Sequence, residues 1–321
     1  MLIIDWSQTV IASVFAMKME KNLEEDMLRH VILNTMRSFI VKFREKYDAT
    51  DVVIAVDSSN SWRKEAFQYY KANRAKNRKE SPIDFKQLFE IMDKIRLELQ
   101  ETSPFLVMKV DRAEADDIIA VLTKHNAERY SSLMDILECN ENNPSNFTGT
   151  RTLILSTDKD FIQLQKYPGV HQYSPKFNKF LNEKIPEEYL ISHIISGEGG
   201  ATGDGIPNVL SDDDVFVTDK RQTPLTAKRM DAILSVAREL MRNAVLEEKQ
   251  IGHPVWYDNW VRNRRCIDFD FIPNDIEESI LNAFEEEKNR QKSITQSMFL
   301  NYLVEKRCRL LIGDIGDFFL K

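Results

Sequence analysis

Leu2-Ile3-Ile4-Asp5 opens the chain, three apolar strand-forming residues followed at once by a carboxylate. The arrangement returns at Val52-Val53-Ile54-Ala55-Val56-Asp57, and at Thr152-Leu153-Ile154-Leu155, which runs through Ser156-Thr157 to Asp158 and Asp160. A fourth apolar run, 105–110, precedes Ala113-Glu114-Ala115-Asp116-Asp117. Short apolar runs separated by long helical patterns are the βαβ signature of a parallel sheet. Groups just past the carboxyl ends of such strands converge on one crevice. So many like charges share a crevice only when cations neutralise them.

Hard divalent cations such as Mg²⁺ take oxygen ligands. Two of them, about 3.5–4 Å apart, can clamp the attacking and leaving oxygens of a phosphoryl displacement without a side-chain nucleophile. On this reading Asp5, Asp57, Glu114 and Asp116 hold one ion. Asp158, Asp160 and the later Asp204, in a glycine-rich turn, hold the other, partly through water. Taken singly, Asp116, Asp117 and Asp158 also suit helix caps, which need no metal.

Outward from the strands, apolar residues at helical spacing mark helices over 23–47, 83–99 and from 113 onward, with a short fifth strand at 170–173. The polar tract 139–146 reads as a loop. Beyond Pro186 the pattern is wholly helical: 187–196, 228–250, 276–290 and 296–311. The expected architecture is therefore an α/β domain over 1–185, a mainly parallel central sheet flanked by helices, followed by a helical region over 186–321.

With 321 residues, 30% charged and 42% apolar, the chain can bury a substantial core. Cys139, Cys266 and Cys308 show no CxxC spacing, which argues for a reducing compartment and against a thiolate zinc site. The five histidines form no HExxH pattern. No apolar stretch is long enough to span a bilayer and no signal peptide precedes Asp5, so no membrane role is expected. The net charge of −7 is segregated. Between residues 61 and 79 stand Arg63, Lys64, Lys71, Arg74, Lys76, Arg78 and Lys79 against the single Glu65, interleaved with Trp62, Phe67, Tyr69 and Tyr70. A basic-aromatic segment beside an acidic crevice suits a nucleic-acid substrate, the alternative being a solvated helix face.

Asp5-Trp6-Ser7-Gln8-Thr9 also resembles the DxDxT signature of haloacid-dehalogenase-like phosphatases, in which Asp5 would be the nucleophile. Ser7 stands where that signature has its general acid.

The order of these strings resembles the 5′-nuclease (flap endonuclease) superfamily, and its bacteriophage members in particular. The resemblance rests on Ile3-Ile4-Asp5-Trp6-Ser7-Gln8, Trp62-Arg63 with Tyr69-Tyr70-Lys71-Ala72-Asn73-Arg74, Ala113 to Asp117, Ser156-Thr157-Asp158-Lys159-Asp160-Phe161 and Ile267-Asp268-Phe269-Asp270-Phe271-Ile272-Pro273. It implies a PIN/5′-nuclease-like fold with a basic arch region over 61–80 and a helix-hairpin-helix-like duplex-binding element in the helical part. It implies 5′→3′ exonuclease and flap endonuclease activity on branched or nicked DNA and RNA–DNA duplexes, removing the RNA primers of lagging-strand fragments. Two Mg²⁺ ions, replaceable by Mn²⁺, would sit on Asp5, Asp57, Glu114, Asp116, Asp158, Asp160 and Asp204, with Asp117 and Glu198 behind them. Lys71 and Arg74 fall where the family contacts the scissile phosphate, and Arg63, Tyr70, Lys76 and Arg78 join them as nucleic-acid contacts. For Tyr70, core packing is the alternative to stacking on a base. A catalytically inactive branched-DNA-binding protein is a further alternative. The expected setting is a phage-encoded monomer in the host cytoplasm, with a sliding clamp and a single-stranded-DNA-binding protein as partners.

Two departures from the family pattern stand out. The family's G-D-x-x-D-N turn becomes Gly197-Glu198-Gly199-Gly200-Ala201-Thr202-Gly203-Asp204-Gly205-Ile206-Pro207, whose backbone could hold a phosphate or a monovalent cation. At the other end, Ile315-Gly316-Asp317-Phe318-Phe319 has the pattern of a clamp-binding peptide, with a packed hydrophobic tail as the alternative.

Overall fold

The structure, a computed structural model, describes residues 1–19, 22–47, 49–74, 78, 81–138 (side chains to 129), 151–200, 203–218, 220–242 and 254–319. The tract 139–146, Cys139, Lys76, Lys79 and the segment 243–250 lie outside these residues. Two compact units form, neither continuous in sequence. Met1–Asn60, Pro82–Asn182 and Asn274–Lys321 build the first, Ser61–Ser81 and Glu183–Pro273 the second.

In the first unit six strands make one sheet in the order β3-β2-β1-β4-β5-β6. They are β1 (Leu2–Asp5), β2 (Val52–Ala55), β3 (Leu106–Met108), β4 (Thr152–Leu155), β5 (Val170–Ser174) and β6 (Lys179–Leu181). All pairs are parallel except β5–β6. Every residue of β1, β2 and β4 is buried, which explains why these strands read as unbroken apolar runs rather than as alternation. Ile4 pairs with Ile54 on one side and Leu155 on the other, so the carboxyl ends of three strands finish level.

Among the described residues, four α-helices connect these strands, α1 (Trp6–Ala16), α2 (Glu25–Tyr47), α4 (Phe85–Thr102) and α5 (Ala115–Glu138), with a 3-10 helix (Asp160–Lys166) between β4 and β5, while the short α3 (Arg63–Ala66) belongs to the second unit. Helix α1 and strand β6 were not expected from the sequence. The chain passes from β1 into α1 without a loop, and the apolar residues of 6–16 are too evenly spread to mark one face.

The second unit contains α6 (Pro186–Ser196), α7 (Ala227–Arg242) and α8 (Tyr257–Ile267), with the basic segment beside them. Phe67, Tyr70, Leu190, Ile194, Val209, Ile233 and Trp260 form its core. Helix α8 escaped the sequence reading because its buried face is partly polar. Arg262 and Asn263 are buried there, and Asn263 Nδ2 donates to the carbonyls of Ile194 and Pro207, both at 2.8 Å.

The chain then returns to the first unit as α9 (Asn274–Gln291), α10 (Gln296–Glu305) and α11 (Arg309–Ile312). The helical region expected over 186–321 thus contributes to both compact units. Helix α9 packs against β3, a sheet edge whose Val107 amide donates to Glu287 Oε2 at 3.1 Å. Covering the edge in this way satisfies a backbone donor that would otherwise recruit another strand. The helix expected over 296–311 is broken: Arg307 adopts φ 57° and the Cys308 amide donates to Leu303 O at 2.8 Å, a left-handed helix termination.

Of the two readings of 315–319, the structure takes the packed hydrophobic tail. Phe318 is 1% exposed, its ring 5.1 Å from that of Phe299 and 6.2 Å from that of Phe105, with Ile315 and Phe319 packed on the same core. Arg37 holds Asp314 at 3.0 Å and Asp317 at 2.9 Å.

Candidate active site

Each carboxylate of the first unit is placed by the end of an element. Asp5 is both the last residue of β1 and the N-cap of α1, its Oδ1 accepting from the Gln8 amide at 3.0 Å. Asp57, two residues past β2, has both oxygens engaged. Oδ1 accepts from the Ala115 amide at the start of α5 (3.0 Å), and Oδ2 from the Ser7 hydroxyl (2.6 Å). A helix N-terminus favours negative charge, so α5 and β2 fix one another through Asp57.

Glu114, buried, and Asp116, half-buried, flank that same amide. Asp117 is fully buried and its Oδ2 accepts from the Glu114 amide at 2.8 Å. It caps the helix from within the first turn. Past β4, Asp158 and Asp160 are half-buried. The Asp158 amide donates to Ser156 Oγ at 3.1 Å and the Asp160 amide to Asp158 Oδ1 at 3.2 Å. Ser156 also points its hydroxyl at Asp5 Oδ2, 3.5 Å away.

The crowding bears on Asp5 electrostatically. The Asp5 carboxyl is pushed up to about 7 by burial first and then by the neighbouring charge of Asp57. Asp158 adds to the rise, against the opposing hydrogen bonds from Gln8 and Ser156. The donors are oxygens throughout, and a divalent cation would relieve the repulsion among them. The residues fit such an ion.

Asp204 lies in the second unit and keeps other company. Tyr70 OH and the Arg74 guanidinium each donate to its carboxylate, Lys71 Nζ stands 3.5 Å away, and the Lys71 amide donates to Asp204 O at 2.7 Å. Its charge is met by two cations and a hydroxyl without any metal. Lys71 adopts φ 58°, left-handed backbone that a lysine rarely takes.

The turn is drawn onto the basic segment by Asn73, whose Nδ2 donates to Gly200 O at 2.9 Å and Gly203 O at 3.4 Å. Gly205, at φ 73°, faces Asn73 Oδ1 so closely that a Cβ there would lie 3.0 Å from it. Glu198 contributes its backbone, its carbonyl accepting from Gly205 and Ile206 at 3.0 and 3.2 Å.

Two expected nucleic-acid contacts are corrected. Tyr70, 4% exposed, is a core residue whose ring is not available to a base. Arg63, 3% exposed, donates through Nε to Cys266 O at 2.8 Å and stacks on Trp62. Arg78 is exposed, and Lys71 and Arg74 are half-buried.

Sequence reasoning missed the supports beneath the carboxylates: Ser7, Gln8, Ser156, Gln172 and Ser174. The Ser7 hydroxyl on Asp57 was detectable only as the unexplained Ser in Asp5-Trp6-Ser7, and a glutamine in the middle of a strand carries no signal of its purpose.

A mainly parallel sheet with carboxylates at the ends of β1, β2 and β4 and at the N-terminus of α5 defines a PIN/5′-nuclease fold. Residues 1–190 match the family model of the 5′-3′ exonuclease N-terminal resolvase-like domain, and residues 186–318 that of the T4 RNase H C-terminal region. The chain belongs to the 5′-3′ exonuclease family and is a nuclease. It is 30% identical over 323 residues to ribonuclease H of Enterobacteria phage T4, covering 98% of this chain and 95% of that protein.

Among solved structures it is similar to the phage T5 D15 protein co-crystallised with metal ions, with a TM-score of 0.57, 17% identity, and 90% and 98% of the two chains covered. The T5 5′-exonuclease with bound zinc gives a TM-score of 0.58 at 15% identity over 91% of this chain and 99% of that one. A T5 flap endonuclease variant in complex with DNA and metal ions gives 0.55 at 14% identity, over 91% of this chain and 99% of that one. These likenesses concern the fold. With the family shown, the haloacid-dehalogenase reading of Asp5 falls away, and Ser7 is accounted for by its bond to Asp57.

Proposed function

We propose that this protein is a divalent-metal-dependent 5′→3′ exonuclease and flap endonuclease that acts on branched or nicked DNA and on RNA–DNA duplexes. The observation that carries the proposal is that buried Asp5, at the end of β1, has the charges of half-buried Asp57 and Asp158 beside it. The similarity to a phage ribonuclease H supports an RNA strand among the substrates, and the fold shared with a DNA-bound flap endonuclease supports branched DNA.

Asp5, Asp57, Glu114, Asp116, Asp158 and Asp160 would hold two Mg²⁺ ions, with Mn²⁺ able to replace them. When bound, these ions supply Lewis-acid activation of the phosphodiester and of the attacking water. The chain's own residues do the rest. Ser7 and the Ala115 amide fix Asp57, and the Gln8 amide fixes Asp5, so the carboxylates are oriented before substrate arrives. Lys71 and Arg74 are the cations for the scissile phosphate, where they would stabilise the charge that develops on its oxygens. Asp204 holds both in readiness.

The test is a 5′-labelled flap and a nicked RNA–DNA duplex, each incubated with Mg²⁺ and with EDTA. Cleavage near the branch point in Mg²⁺, and none in EDTA, is the expected result. Equal cleavage in EDTA, or release of inorganic phosphate from small esters in place of strand cleavage, would dispose of the proposal.

A further inference from the structure

Gln172 lies in the middle of β5 and is fully buried. A polar side chain in that position costs free energy unless its hydrogen bonds are made. All of its carboxamide is used. Nε2 donates to Ser156 O at 3.1 Å and to Asp158 O, and Oε1 accepts from Gln165 Nε2 at 3.2 Å. Both carbonyls belong to the loop that leaves β4 and carries Asp158 and Asp160.

The same loop is gripped at two further points. The Thr157 amide donates to Gln8 Oε1 at 2.5 Å, and Thr157 Oγ1 is 2.9 Å from Ser174 Oγ. Strand periodicity puts Gln172 and Ser174 on one face of β5, so one strand supplies two supports to one loop. Gln8 comes from α1, whose cap is Asp5. Three consecutive residues, 156–158, are therefore held by side chains from two elements that themselves border the acidic cluster.

We infer that Gln172, together with Gln8, is a positioning residue that fixes the 156–160 loop, and with it the Asp158 carboxylate beside Asp5, for a divalent ion. The inference rests on the metal reading of these carboxylates. A ligand loop held only by its own backbone could relax under the repulsion among its carboxylates. The side chains of Gln172 and Gln8 bear on the loop backbone and not on the carboxylates, so they resist that relaxation without occupying a ligand oxygen. Outer partners of metal ligands are worth roughly 10–100-fold in metal affinity or activity.

Direct Mn²⁺ binding without DNA, by electron paramagnetic resonance and calorimetry, tests this on the full chain. Gln172→Met and Gln8→Met are compared with the parent and with Asp158→Asn, and circular dichroism checks that each is folded. Gln8→Met keeps the backbone amide that caps Asp5. The expected result is a Mn²⁺ dissociation constant raised on the order of 10-fold in both methionine variants, with strand cleavage recovering as Mn²⁺ is raised to saturation. An unchanged dissociation constant in folded Gln172→Met, while Asp158→Asn binds weakly, overturns the positioning role and leaves the metal reading intact. Should Gln172→Met not fold, an unchanged constant in Gln8→Met overturns it equally. Unchanged binding in Asp158→Asn would remove the metal reading itself, and the inference with it.

Discussion

At the scale of the residue, Asp5 carries a consequence for pH. Its carboxyl is raised from an ordinary value of 3.8 to about 7, so between those limits the folded protein holds a proton that the unfolded chain has lost. Stability contributed by Asp5 is therefore fully present below about pH 4 and lost as pH rises through 7, by a few kcal/mol in all. A divalent ion replaces the proton, so Mg²⁺ should raise the melting temperature more at pH 8 than at pH 5. In metal-free protein, Asp5→Asn should flatten the fall in melting temperature over that window. An equal slope in parent and variant would show that Asp5 does not carry it. Asp116→Asn and Asp158→Asn should each lower turnover by orders of magnitude while a flap duplex still binds, measured by single-turnover cleavage and by anisotropy. Most of these carboxylates could be read from the sequence because each ends an apolar run. Asp204 could not be placed the same way, because its partners Tyr70, Lys71 and Arg74 are far from it in sequence and nothing local announces a salt link.

At the scale of the element, strands legible as apolar runs were those buried on both faces; β6, whose residues are exposed or half-buried, carries no such run. Helices were legible where one face is apolar and failed where it is not, as in α8 with its buried Arg262 and Asn263. The role of α9 depends on side chains no periodicity marks. Glu287, 8% exposed, accepts from the Val107 amide, from Gln100 Nε2 at 2.8 Å and from Arg290 Nε at 3.0 Å. Glu287→Ala would strand a buried edge amide and should cost about 1–3 kcal/mol, read as a shift in the urea midpoint with little change in slope. A shift within experimental error would mean that water takes the place of the carboxylate without loss.

At the scale of the whole molecule, the order of elements along the chain is not the order in which the units are assembled. The second unit interrupts the first twice, at Ser61–Ser81 and Glu183–Pro273, so the first unit is completed only when the last helices arrive. Composition could not show this. The helical pattern beyond Pro186 is continuous in sequence, and its division between two units depends on which apolar faces meet.

Phe299, Tyr302, Leu303 and Phe318 join Leu99 and Phe105 in one buried cluster of the first unit. Glu98 ties the arrangement together, holding the fully buried Arg29 of α2 at 2.9 Å, Tyr302 OH of α10 at 3.2 Å and Lys306 at 3.0 Å. A fragment ending at residue 185 therefore exposes that cluster and leaves Glu98 without its partners Tyr302 and Lys306. It should lack a cooperative thermal transition and bind a hydrophobic dye. Phe318→Ala in the full chain should cost about 3–5 kcal/mol, as truncation of a buried aromatic does. If the fragment melts cooperatively near the full chain's temperature, the last 48 residues are an attachment to the first unit and not part of its core.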